Sequence, residues 1–225
     1  MAVNPNAPLT ITGYKWVPDF AQGFVRDLRP RWACEEIGLD YAERLIDVMK
    51  KPEGYAAEQP FEQVPVLDDE GVMMFESGAI LLHLGKKDER LLPKDPQLRA
   101  TAISWVFAAY NSIEPSINEL GNIDFFAKDE EWARLRRPGL VEFLGARLDK
   151  LAAALGEKEY LIGRFSAADI AMTEVLRPAR EADAMTVRKS LCAYVDRCTA
   201  RPAYARALDA QMSAFRNNPP PASAP

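Results

Sequence analysis

Residues 63–84, QVPVLDDEGVMMFESGAILLHL, constrain this chain more than any other stretch. Two short apolar runs, Val64 to Leu67 and Val72 to Phe75, flank Asp68-Asp69-Glu70-Gly71, the composition of a hairpin connection. After Phe75 the pattern changes at once. Ser77 is placed to cap a helix whose apolar positions Ile80, Leu81, Leu82 and Leu84 follow. Pro65 is out of place inside a strand, so a turn or a cis Val64–Pro65 bond is expected at its start. A cis bond would turn the Val64 backbone outward, where its N–H and C=O can pair with an extended peptide. Glu76-Ser77 sets a carboxylate, a hydroxyl and N–H groups at a helix N-terminus, which suits a ligand carrying both an ammonium and a carboxylate.

The segments upstream supply the rest of one α/β unit. Leu9 to Trp16 alternates as a strand does, and Val17-Pro18 ends it. Residues 19–38 read as mainly helical, with Phe24, Leu28, Trp32, Ala33 and Ile37 at helical spacing and Gly38 as C-cap. Pro30 divides an irregular first turn from the regular helix. Tyr41 to Ile46 makes a second strand, parallel to the first because a helix separates them. Residues 47–62, with Pro52, Gly54 and Pro60, read as a loop with at most a short helix. This order is that of a thioredoxin-like domain, expected over residues 1–87. Residues 88–97 are charged and carry Pro93 and Pro96, so they are expected to be a linker. An all-α domain is expected over 98–215, and the proline-rich residues 216–225 as a disordered tail.

Composition excludes several classes. A formal net charge of -5 argues against a nucleic-acid footprint or an anionic membrane surface. No eighteen-residue apolar run and no signal-peptide pattern is present, so no membrane span or export is expected. The three cysteines, Cys34, Cys192 and Cys198, lie in helical patterns without Cys-x-x-Cys spacing, and His83 is the sole histidine. That fits a reducing cytoplasm and argues against a zinc site.

Val64-Pro65 and Glu76-Ser77, separated by a hairpin and followed by the AILLHL helix, resemble the motifs of the glutathione transferase family, bacterial cytosolic members included. The resemblance covers roughly residues 9–215. It implies a thioredoxin-like domain followed by an all-helical one, with glutathione as substrate and no metal. The implied activity is conjugation of the glutathione thiolate to a small hydrophobic electrophile by a cytoplasmic homodimer, as in detoxification. By the same resemblance Val64 and Pro65 hold the cysteinyl part of glutathione and Glu76 and Ser77 its γ-glutamyl end. Gln63 adds a polar contact, with Gln59 as a weaker candidate, and Lys51 either meets the glycine carboxylate or is a surface lysine. The electrophile pocket is expected between Trp16-Val17-Pro18 and the helix carrying Tyr110, Asn111 and Glu114; the aromatic Trp105 and Tyr110 of that helix alternatively form bundle core. A further family feature, Ser166-x-x-Asp169 in FSAADIAM, has capping-box spacing and a structural role.

One departure is chemical. The family activates the thiol with a Tyr, Ser or Cys just after the first strand, yet residues 16–38 contain no Ser, Thr or Tyr. Their one cysteine, Cys34, lies deep in the helix. Making thiolate the main form at neutral pH needs a pKa lowered by about two units, roughly 2.7 kcal/mol. Three substitutes remain open: the Arg26 guanidinium, backbone N–H groups around Phe24, Val25 and Arg26, and Tyr14 in the strand. The departure also keeps two other functions in play, a non-catalytic glutathione-binding protein and a glutathione-dependent disulfide reductase.

Overall fold

In the computed structural model, which describes residues 2–218 and 220, the chain divides into two compact units. One comprises the described residues of Met1–Leu91 and Arg201–Pro225; the other is Leu92–Ala200.

The first unit is built on a four-stranded sheet in the order β2-β1-β3-β4. β1 (Leu9–Tyr14) turns Leu9 and Ile11 into the core and pairs in parallel with β2 (Ala42–Ile46), Thr10 opposite Ala42. The crossover between them is α1 (Leu28–Ile37), which ends where Gly38 adopts φ 68° and donates back to the Cys34 carbonyl. A short α2 (Tyr55–Glu58) follows β2. β3 (Val66–Asp69) runs antiparallel to both β1 and β4 (Val72–Phe75). The hairpin closes on Glu70 and Gly71, with φ 55° and 90°, the two left-handed residues of a type I′ turn. Asp68 Oδ1 accepts from the Gly71 N–H at 2.8 Å and steadies that turn. The first hairpin strand therefore starts two residues later than its apolar run suggests. Pro65 stands just before the ladder, where its missing N–H costs no hydrogen bond. The Val64–Pro65 peptide is cis. α3 (Ser77–Lys87) leaves β4 through Glu76.

The last helix, α10 (Pro202–Asn217), belongs to this sheet unit. This departs from the sequence expectation of one helical domain over 98–215. Ala203, Tyr204, Ala207, Ala210, Gln211 and Ala214 are buried at helical spacing, a narrow stripe of mostly small side chains that admits close packing on α1. Tyr204 meets Trp32 edge-on at 4.9 Å between ring centroids. Arg206 Nε donates to Glu35 Oε2 at 2.6 Å, and Arg201 Nε to Glu36 Oε1 at 2.6 Å. Arg216 and Asn217 close α10 rather than beginning a tail. Residues 219 and 221–225 of that expected tail lie outside the described residues.

The described residues of the second unit hold helices and no strand: α4 (Pro96–Ala108), α5 (Glu114–Phe126), α6 (Glu131–Leu155), α7 (Ala167–Leu176), the short α8 (Asp183–Thr186) and α9 (Lys189–Thr199). α4 and α5 are joined without a gap by a π turn over Ala109–Ile113, and Pro115 falls in the first turn of α5. α7 is buried on every side and starts with the expected capping box. Asp169 accepts from Ser166 N–H at 2.9 Å, Leu161 N–H at 2.9 Å and Tyr194 O–H at 2.9 Å. Among the described residues no helix is long and apolar enough to cross a membrane.

Candidate functional site

The sheet unit carries a small groove beside the cis proline. It is lined by Val64 and Pro65, by Glu76 and Ser77 at the start of α3, and by Gln63, Gln59 and Arg26. Seven residues singled out in the sequence thus meet at one place.

The groove rests on a local core of Ile46, Tyr55, Val64 and Val66, with Tyr14 and Val25 packed against it. Tyr55 donates from its hydroxyl to the Gln63 carbonyl at 2.8 Å, which ties α2 to the segment entering the cis bond. Gln59 is buried, and its Oε1 accepts from the Phe61 N–H. That side chain, the weaker candidate for a glutathione contact, thus shapes the turn before Gln63.

Glu76 is the N-cap of α3 and has φ 69° and ψ 113°. Ser77, expected to be the cap, is instead the first helical residue and is buried. A non-glycine residue with positive φ stores on the order of 1–3 kcal/mol of backbone strain, held in place by its surroundings. Here that geometry leaves the Glu76 side chain exposed while Ser77 turns inward. Arg29, itself buried in α1, donates from Nη1 to Ser77 Oγ at 3.0 Å. A guanidinium can only donate, so the Ser77 oxygen is an acceptor there and its own hydrogen is left to donate. Together with the α3 N-terminus, this suits the groove to a carboxylate. Nothing in the sequence singled out Arg29, because a charged residue in a helix reads first as a solvated one.

Arg26 precedes α1, half-buried, in the turn leading to the N-cap Asp27. The N–H of Phe24 already donates to the Ala21 carbonyl at 3.0 Å, so that member of the expected N–H group is engaged. Tyr14 lies at the end of β1 against the local core; burial, and then the charge of Asp27, push its hydroxyl above the usual phenol range. Cys34 is wholly buried, and burial pushes its thiol well up.

Lys51 does not line the groove. Its ammonium donates to the Val48 carbonyl at 2.6 Å and lies 4.6 Å from the centre of the Tyr14 ring, and burial lowers its pKa. Trp16 and Val17 belong to the sheet unit, Trp16 half-buried and Val17 buried, with the Val17 carbonyl accepting from Gln22 Nε2. Tyr110 and Asn111 sit in the π turn of the helical unit, half-buried and exposed, and Glu114 opens α5 as a buried carboxylate. Among the described residues no group of three His, Cys, Asp or Glu side chains is placed to hold a metal.

A thioredoxin-like sheet unit with a groove of this kind, next in sequence to a helical unit, defines the architecture of glutathione transferases. The comparisons agree. The profile of the glutathione S-transferase N-terminal domain matches residues 21–86. Glutathione S-transferase F10 of Arabidopsis thaliana is 33% identical over 204 residues, covering 82% of this chain and 93% of that protein. The chain belongs to the glutathione S-transferase family. A glutathione transferase from Burkholderia graminis, solved with two glutathione molecules bound per subunit, superposes with a TM-score of 0.77 at 26% identity over 89% of this chain and 87% of that one. Ure2p in complex with glutathione shares the fold, with a TM-score of 0.77 at 18% identity over 92% and 95% of the two chains.

Proposed function

We propose that this protein binds glutathione in the groove at Val64-Pro65 and Glu76-Ser77 and conjugates it to a small hydrophobic electrophile. The observation that carries the reading is the meeting of the cis proline, the strained Glu76 and the Arg29-oriented Ser77 in one groove with Arg26. Val64 meets the cysteinyl backbone, Pro65 shapes that contact, and Glu76 and Ser77 take the ammonium and carboxylate of the γ-glutamyl end. Gln63 adds a polar contact. Lys51, directed at its own loop, would have to turn to reach the glycine carboxylate.

The thiol loses its proton to water, and the thiolate is stabilised by Arg26 or by N–H groups beside it. The sulfur then attacks an electrophilic carbon. One S–C bond forms, and the leaving group departs with its electron pair or, in an addition, the adjacent carbon takes the proton. Trp16 and Val17 are proposed as electrophile contacts on the sheet unit, and aromatic, apolar contacts favour flat apolar substrates. We place the protein in the cytoplasm as a homodimer.

The lack of any Ser, Thr or Tyr in residues 16–38 favours a second reading, a glutathione-binding protein without turnover. A disulfide reductase using Cys34 has no support in a wholly buried thiol. The test is a titration of bound glutathione by thiolate absorbance, with turnover of a chloronitroaromatic and of a hydroxyethyl disulfide as the companion assays. The transferase reading expects a thiol pKa about two units below its free value and chloronitroaromatic turnover. An unshifted pKa without turnover establishes the binder instead. In Arg26→Ala the pKa rises if the guanidinium supplies the stabilisation and stays where it was if the backbone does.

A further inference from the structure

The turn that carries Arg26 is held from a distant part of the chain. Gln211, wholly buried on α10, donates from Nε2 to the Val25 carbonyl at 3.0 Å and to Asp27 Oδ1 at 2.7 Å. One amide therefore grips the residues on either side of Arg26. Asp27 is fixed from its other oxygen as well: Arg31 Nε donates to Oδ2 at 2.7 Å, and Arg31 in turn pairs with Glu43 on β2. The carboxylate is also pressed onto β1, because a Cβ at Gly13 would stand 2.6 Å from Asp27 Oδ2. One turn earlier on α10, Leu208 Cδ1 lies 3.3 Å from where a Cβ on Gly23 would be, and Gly23 has φ +79°.

These contacts answer a question that the missing hydroxyl raises. A side-chain hydroxyl brings its own donor to the sulfur, and small backbone shifts are absorbed by rotation about one bond. Activation from the Arg26 region needs the turn itself held to a fraction of an ångström, whether the guanidinium or an N–H acts. We propose that Gln211 is a positioning residue for thiol activation, holding Val25 and Asp27 so that Arg26 faces the glutathione sulfur. The proposal rests on the groove being a glutathione site that ionises the thiol. Gln211 touches neither glutathione nor the electrophile in this account; it acts through the backbone at 25–27.

The test compares the thiol pKa of bound glutathione in wild type, Gln211→Met and Arg206→Ala. Methionine keeps the volume and removes both hydrogen bonds. Arg206→Ala removes the Glu35 ion pair elsewhere on the same helix and serves as the control for general loosening. The expected result is a pKa raised about one unit in Gln211→Met, a roughly threefold loss of thiolate at pH 7 that grows to about tenfold well below both pKa values. Its glutathione affinity at pH 9.5, where the thiol ionises unaided, changes less than about twofold. Arg206→Ala is expected to lower the melting temperature and leave the pKa alone.

A folded Gln211→Met with the wild-type pKa overturns the proposal, as does an equal rise in Arg206→Ala. If Gln211→Met does not fold, Gln211→Glu decides, since it keeps size and polarity but sets an oxygen against the Val25 carbonyl and Asp27. A wild-type protein with no depressed thiol pKa overturns the glutathione-activation reading itself and this inference with it, an outcome visible before any variant is measured.

Discussion

Arg29 Nη1 and Ser77 Oγ lie 3.0 Å apart with both side chains buried, joining α1 to the first residue of α3. The arginine fixes the serine oxygen as an acceptor and so sets which way its hydrogen can point. Arg29→Met should lower glutathione affinity by the worth of a charged hydrogen bond, about 1.5–3 kcal/mol. In a double-mutant cycle by calorimetry, Arg29→Met with Ser77→Ala should be scarcely worse than Ser77→Ala alone. Additive losses would mean that Arg29 acts elsewhere.

Glu76 separates binding from stability. Glu76→Ala should weaken glutathione by about 1.5–3 kcal/mol through loss of the carboxylate. Glu76→Gly should lose the same affinity yet be about 1 kcal/mol more stable than the alanine variant, because glycine accepts a φ of 69° without strain. Calorimetry and urea midpoints read the two effects separately.

At Gly13 the space for a side chain is already taken by Asp27 Oδ2, 2.6 Å from the Cβ position. Gly13→Ala must displace a buried ion pair or the strand, at a cost of about 1–3 kcal/mol. Chemical denaturation checks this, and a neutral substitution would mean that the Asp27 turn yields easily.

Asp169 gives the helical unit a pH signature. Burial outweighs its four hydrogen bonds and pushes its pKa up to about 6, against about 3.9 in an unfolded chain. Between those values the folded state holds more protons than the unfolded one, so stability falls as pH rises from about 4 to about 6 and levels off above. Asp169→Asn should remove that part of the slope. Denaturation midpoints across pH 4–7 for the two proteins are the measurement, and identical slopes would contradict it.

Assembly has its own test. On the sheet unit Phe61, Val72, Met73 and Phe75 are exposed apolar side chains. On the helical unit Phe107, Trp132, Leu135 and Phe143 are exposed likewise. Exposed apolar side chains of this kind favour a second copy of the chain as cover. Cations at the end of α3 and beyond are engaged within the chain. Lys87 pairs with Asp69 at 2.7 Å, Arg90 with Asp88 at 2.6 Å, and Arg99 donates to the Pro93 carbonyl. Sedimentation equilibrium at micromolar concentration should return twice the mass of one chain; a single-chain mass rejects the homodimer.

What the sequence disclosed, it disclosed through local rules. Pro65, the Glu70-Gly71 turn and the Ser166-x-x-Asp169 box each dictate backbone geometry within a few residues, and each is legible for that reason. Arg29 and Gln211 were not, because their partners Ser77 and Val25-Asp27 lie far along the chain and their polarity suggests solvent. Leu135 and Phe143 show the opposite case: both are apolar residues of α6 and both are exposed. The π turn at Ala109–Ile113 left no trace either, since Pro115 only suggests a bend.

The return of α10 to the sheet sets an order of events during synthesis. Asp27 and Gln211 are separated by 184 positions, so the turn bearing Arg26 leaves the ribosome long before the amide that grips it. At 5–20 residues per second that interval is about 10–40 s. The nascent sheet passes through it with the α1 face for Tyr204 and Ala207 uncovered. A fragment cut at residue 91, however natural the boundary, would be that unfinished intermediate rather than a miniature of the binding unit.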